Sequence, residues 1–74
     1  MKRKTHHKYR TLVIAKDLHT GEVCELEKVF SSIREMKLEV YYRYKVKKIQ
    51  LVAPDLYQGV GDRYEVSVFV EFIY

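Results

Sequence analysis

The last twelve residues, RYEVSVFVEFIY, alternate without a break. Tyr64, Val66, Val68, Val70, Phe72 and Tyr74 fall on one side, and Arg63, Glu65, Ser67, Phe69, Glu71 and Ile73 on the other. A repeat of two is the side-chain period of a β-strand, so this segment commits the chain to a sheet. Both of its sides carry large apolar groups, so the sheet needs cover on both faces.

A second alternating stretch opens the chain. In YRTLVIAKDL, Leu12 and Ile14, continued by Leu18, share one face, while Tyr9, Thr11, Val13 and Ala15 share the other. HTGE then turns the backbone, with Gly21 as the permissive position, and EVCELEKVF returns with Cys24, Leu26 and Phe30 opposite Glu25 and Glu27. The pattern predicts a β-hairpin, with Cys24 as a small inward-facing core residue rather than a nucleophile.

Between the two alternating stretches the period changes. Ser32 stands three residues before Glu35, the spacing of a capping box in which the carboxylate reaches back to the N-cap amide. Ile33, Met36, Val40 and Tyr44 follow at spacings of three and four, a single helical stripe. The segment KLEVYYRYKVKK also reads as a strand, with Val40, Tyr42, Tyr44 and Val46 on one face. That alternation breaks at Lys47 and Lys48, after which Ile49, Leu51 and Ala53 take the apolar phase. A helix ending near residue 45, then a strand from Val46 to Pro54, accounts for the break. PDLYQGVGD is read as a long connection, and its G-V-G lacks the context of a phosphate loop.

The resulting expectation is an α+β fold of order ββαββ, an antiparallel sheet with one helix packed on one face. Residues 1–8 form a basic flexible arm and 9–74 a single small domain. A chain of 74 residues buries only about 60 to 65% of its unfolded surface, so its core is marginal. One helix leaves the other sheet face open, which predicts a homodimer through Phe69 and Ile73.

Charge is placed unevenly. Five of the fourteen cations, Lys2, Arg3, Lys4, Lys8 and Arg10, lie in the first ten residues, leaving nine against ten acidic side chains in the rest. A single cysteine points to a reducing setting, and no apolar run reaches the roughly 18 residues of a membrane span. The N-terminus also lacks the apolar core of a secretory signal. Together these predict a soluble, cytoplasmic protein with no membrane partner.

No catalytic pair, zinc spacing or nucleotide motif is present, so neither enzymatic activity nor a cofactor or metal is expected. Asp17 and His19 read as turn residues. On the helical wheel Leu38 and Tyr42 project away from the core stripe with Tyr41 on the flank, and Arg34 and Arg43 lie nearby. That composition predicts a patch for an unidentified protein partner. The run from the first hairpin through SSIREMKLEVYYRY to KIQLV resembles the ββαβ pattern of small phage-encoded proteins that bind and inhibit host machinery such as RNA polymerase. The resemblance implies a non-enzymatic regulator that occupies its partner, and it transfers no site residues. The alternative is nucleic-acid binding, in which the arm, Arg43, Lys45, Lys47 and Lys48 neutralise phosphates while tyrosines stack on bases.

Overall fold

The computed structural model describes residues 8–72. Strand β1 spans Tyr9–Asp17 and β2 Val23–Phe30; helix α1 spans Ile33–Tyr44; β3, β4 and β5 span Gln50–Ala53, Leu56–Val60 and Tyr64–Phe72. All pairings are antiparallel, in the order β2-β1-β5-β4-β3. The α+β class and the single helix agree with the sequence reading. The strand count does not, because the order is ββαβββ.

The extra strand lies inside the segment read as a connection. Pro54 and Asp55 make a two-residue turn, Leu56 pairs with Ala53, and β4 pairs along β5. Asp55 stays tied to the sheet, its carbonyl accepting the Val70 amide at 2.8 Å. The glycines that suggested a loop answer to packing. A Cβ on Gly59 would overlap the Lys48 carbonyl oxygen and lie 2.7 Å from Val46 Cγ1, and one on Gly61 would lie 2.9 Å from the Lys45 carbonyl oxygen. Glycine is therefore required for the segment after α1 to press on the sheet.

That segment also corrects the expected strand start. Lys45 ends the helix in the left-handed region, at φ 60, with its amide donating to Tyr41 O at 2.9 Å. Residues 45–49 take no regular structure, and Val46 and Ile49 plug into the core three positions apart. Pairing begins only at Gln50.

The helix start follows its signal with one change. Ser32 is the N-cap, and its hydroxyl oxygen accepts the Glu35 amide at 3.1 Å. The Glu35 carboxylate, however, accepts the amide of Ser31 at 3.1 Å rather than that of Ser32. Met36 and Val40 are buried against Val13, Ala15, Val66 and Val68, with Ile33 and Tyr44 at the margins. The helical register is the one the apolar stripe predicts.

Because β2 and β3 are opposite edges of the sheet, the chain between them crosses one whole face. The helix packs on β2 and β5, and residues 45–49 extend the cover over β4. Among the described residues no element packs on the opposite face. In urea denaturation, Gly59→Ala should cost about 1–3 kcal/mol through the clash with the Lys48 backbone. Tyr42→Ala, on the outer side of α1, should stay within about 0.5 kcal/mol.

Candidate interaction surface

Leu38, Tyr41 and Tyr42 are exposed on the outward side of α1, where the helical wheel places Leu38 and Tyr42. Leu38 is 46% exposed, Tyr41 39% and Tyr42 66%. Tyr41 and Tyr42 meet edge to face, with ring centroids 5.2 Å apart. Since residues three and four apart are neighbours on a helix, Leu38 sits beside both rings. One flank is set by Lys37, whose ammonium lies 5.7 Å from the Tyr57 ring centre on β4. On the other, Glu39 accepts Lys28 Nζ of β2 at 2.8 Å and Arg43 Nε at 3.0 Å. The Lys28 bond is the main reason the Glu39 carboxyl is held below its ordinary value; partial burial opposes it and Arg43 assists. Arg34 is exposed beside the patch, whereas Arg43 is directed to Glu39 one turn back on the same helix.

The cations of the alternative reading are divided. Lys45, Lys47 and Lys48 line a groove of about 440 Å³ with Val60, Gly61 and Asp62. They stand at the C-terminal end of α1, where the helix macrodipole favours cations and disfavours an anionic ligand. Lys8 and Arg10 lie at the start of β1, where Tyr9 pairs with Phe30 just before α1 begins. The helix length of about 18 Å thus separates the two groups. Arg10 is further engaged by Glu71 at 3.4 Å. Lys2, Arg3 and Lys4 lie outside the described residues.

On the open sheet face, Leu12, Phe69 and Leu56 form a row across β1, β5 and β4 through direct cross-strand pairing. Phe69 is 45% exposed and borders a shallow depression of about 500 Å³ with Leu12, Glu27, Asp55 and Glu71. Ile73, expected beside it, lies outside the described residues.

Cys24 requires a correction. It pairs with Ala15 and so faces the helix side, but it is exposed, because α1 does not reach over that part of the edge strand. Asp17 is the reverse case, a buried carboxylate that the sequence marked only as a turn residue. Its Oδ1 accepts the His19 and Thr20 amides at 2.8 and 3.3 Å, and its Oδ2 accepts Arg63 Nη2 and Nε at 3.0 and 3.1 Å. Leu18 N donates to Arg63 O at 2.7 Å, so the β1–β2 turn and the β4–β5 connection are clasped together. Tyr64, beneath the Arg63 guanidinium, packs edge to face on Tyr44 at 5.3 Å, and burial pushes the Tyr44 hydroxyl up. These contacts join the two turns and the end of α1 into one corner.

Among the described residues no group of three or more His, Cys, Asp or Glu is placed to hold a metal ion, and no helix is long and apolar enough to cross a membrane. Comparison with protein-family models, with curated proteins and with solved structures finds no match to this chain.

Burial pushes the Asp17 carboxyl up, but Arg63 and the two amides outweigh it and hold it below the ordinary carboxylate value of 3.8. A group depressed in the folded state stabilises fully above its unfolded value and loses that contribution as pH falls through the folded one. Glu39 has the same sign. The melting temperature should therefore drop below about pH 4. Asp17→Asn should melt lower than the parent at neutral pH and show a shallower acid decline. An unchanged decline would place the acid sensitivity elsewhere.

Proposed function

We propose that the chain is a small non-enzymatic interaction module that acts by occupying a partner protein through the outer face of α1. The observation that carries this reading is the contiguous Leu38, Tyr41 and Tyr42 surface, which the chain's own core does not use. Tyrosine offers large contact area at low entropic cost and arginine adds directional bonds, so Arg34 at its rim belongs to the same surface. The likeness in pattern to phage-encoded inhibitors suggests a piece of host machinery as the partner. A lone exposed thiol at Cys24 suits a reducing compartment, so the cytoplasm is the proposed setting.

The lysine groove supports a second reading, binding to nucleic acid through Lys45, Lys47 and Lys48. Capture from lysate with and without nuclease separates the two. Under the first reading, a protein retained by the full chain after nuclease treatment is lost with Leu38→Ala/Tyr42→Ala. It is kept when all three lysines are changed to glutamine. Under the second, nuclease and the lysine changes abolish capture, and the double alanine variant retains it. The helix variants act mainly by speeding dissociation, because they remove packed contact area rather than steering charge.

A second copy is proposed across the open face, where the Leu12, Phe69 and Leu56 row offers a continuous apolar strip. Sedimentation at micromolar concentration should show a dimer, and Phe69→Glu should shift it toward monomer by placing a charge in that strip. A monomer at every concentration would refute this part of the proposal.

A further inference from the structure

The two edges of the sheet differ in how they meet solvent. Strand β3 has four residues, an irregular register between Leu51 and Ala53, and Pro54 immediately after it. Short length, irregularity and proline are the features that close an edge to further pairing. Strand β2 has none of these three, and of the features that guard an edge it carries only charge, at Glu25, Glu27 and Lys28. It runs eight residues in unbroken register with β1, without glycine or proline, and its other side pairs with nothing among the described residues.

The register identifies which backbone groups face outward. Asp17 N donates to Glu22 O, and the same pairing sequence sets Thr11 opposite Lys28, whose carbonyl Thr11 Oγ1 reaches at 2.8 Å. Residues at even positions of β2 therefore turn their amides and carbonyls to β1. In an antiparallel ladder the alternate residues turn theirs the other way. The outward groups belong to Val23, Glu25, Glu27 and Val29, whose side chains all lie on the open face.

Charge then selects the occupant. Glu25 and Glu27 are exposed, sit opposite apolar Ile14 and Leu12 on β1, and form no ion pair among the described residues. Two copies pairing edge to edge about a twofold axis keep their faces matched, so odd positions meet odd positions. Of the registers that keep most of the strand paired, centring on Leu26 sets Glu25 against Glu27 twice, and centring on either glutamate sets it against itself. Like charges directly opposite oppose pairing. A strand with cations two residues apart meets the reverse situation.

We propose that the free edge of β2 accepts an antiparallel strand from a basic partner, with cations opposite Glu25 and Glu27 and an apolar residue between them opposite Leu26. Leu26 is 39% exposed, and Val23 and Val29, at 55% and 52%, flank the glutamates on the open face. Main-chain bonds supply the general affinity of such strand addition and the alternating side chains its selectivity. The inference rests on the reading of the chain as an interaction module but uses a different surface from α1.

The probe is a capped nonapeptide with lysine at its fourth and sixth positions, valine at the second, fifth and eighth, and serine elsewhere. It is titrated into the full-length, isotope-labelled protein and followed by amide NMR. Shifts should concentrate in β2, with slowed exchange at Val23, Glu25, Glu27 and Val29. An isomer with the fifth and sixth residues exchanged sends one lysine to the wrong face and should bind roughly tenfold more weakly. Glu25→Lys/Glu27→Lys should reverse the preference toward a glutamate version of the peptide, and Glu25→Gln/Glu27→Gln should erase it. Equal binding of the isomer, shifts centred elsewhere, or protection of the β2 edge by self-association in the protein alone would overturn the proposal. Leu38→Ala/Tyr42→Ala should leave peptide binding unchanged, so failure at the strand edge is distinguishable from failure of the helix surface.

Discussion

The carbonyl oxygen of Lys48 occupies the place where a side chain on residue 59 would have to be, and most of the fold depends on that contact. A chain this short has one helix with which to cover a five-stranded sheet. It succeeds on one face only because the backbone after α1 stays low over β4, driving Val46 and Ile49 into the core beside Met36 and Val40. A side chain at Gly59 would have to displace this strap, because its Cβ would meet the Lys48 carbonyl oxygen, Val46 and Ile49. The marginal burial of small domains makes that gap costly.

Among the described residues, the same economy of cover leaves three surfaces that no other element packs on. The outer side of α1 presents Leu38, Tyr41 and Tyr42, the far side of the sheet presents Phe69 in its apolar row, and β2 presents an open edge. Each has a different physical signature: edge-to-face tyrosines on a helix, a flat apolar strip, and outward main-chain groups beside two carboxylates. A helix face and a strand edge impose different demands on a partner, the first for shape and the second for an extended backbone with matched charge.

Electrostatics within the chain is used chiefly to hold elements together. Asp17 and Arg63 clasp two turns that are far apart in sequence, and Glu39 joins α1 to β2 through Lys28 while taking up Arg43. These pairs remove Arg43 from the pool of binding cations that composition alone suggests. Among the described residues, Lys8 and Arg10 lie near one end of the helix and Lys45, Lys47 and Lys48 at the other, rather than on one surface.

Local pattern was enough for several elements. The alternation through Tyr64–Phe72, the serine and glutamate that open α1, and the Ile33, Met36, Val40, Tyr44 stripe each express a backbone period that needs no distant contact, and they also placed Leu38 and Tyr42 on the outside. The strand Leu56–Val60 was not legible, because its glycines carry the local signature of a turn and their purpose appears only when the Lys48 backbone is brought against them. Cys24 has the period of a core residue but lies beyond the reach of the helix, and Asp17 has the composition of a turn residue but meets Arg63, 46 positions later. Sequence by itself determined which residues share a face, since that follows from the repeat of helix or strand. Only the tertiary structure decided which faces are covered, because cover depends on where one helix and a five-residue strap can lie across a sheet about 19 Å wide.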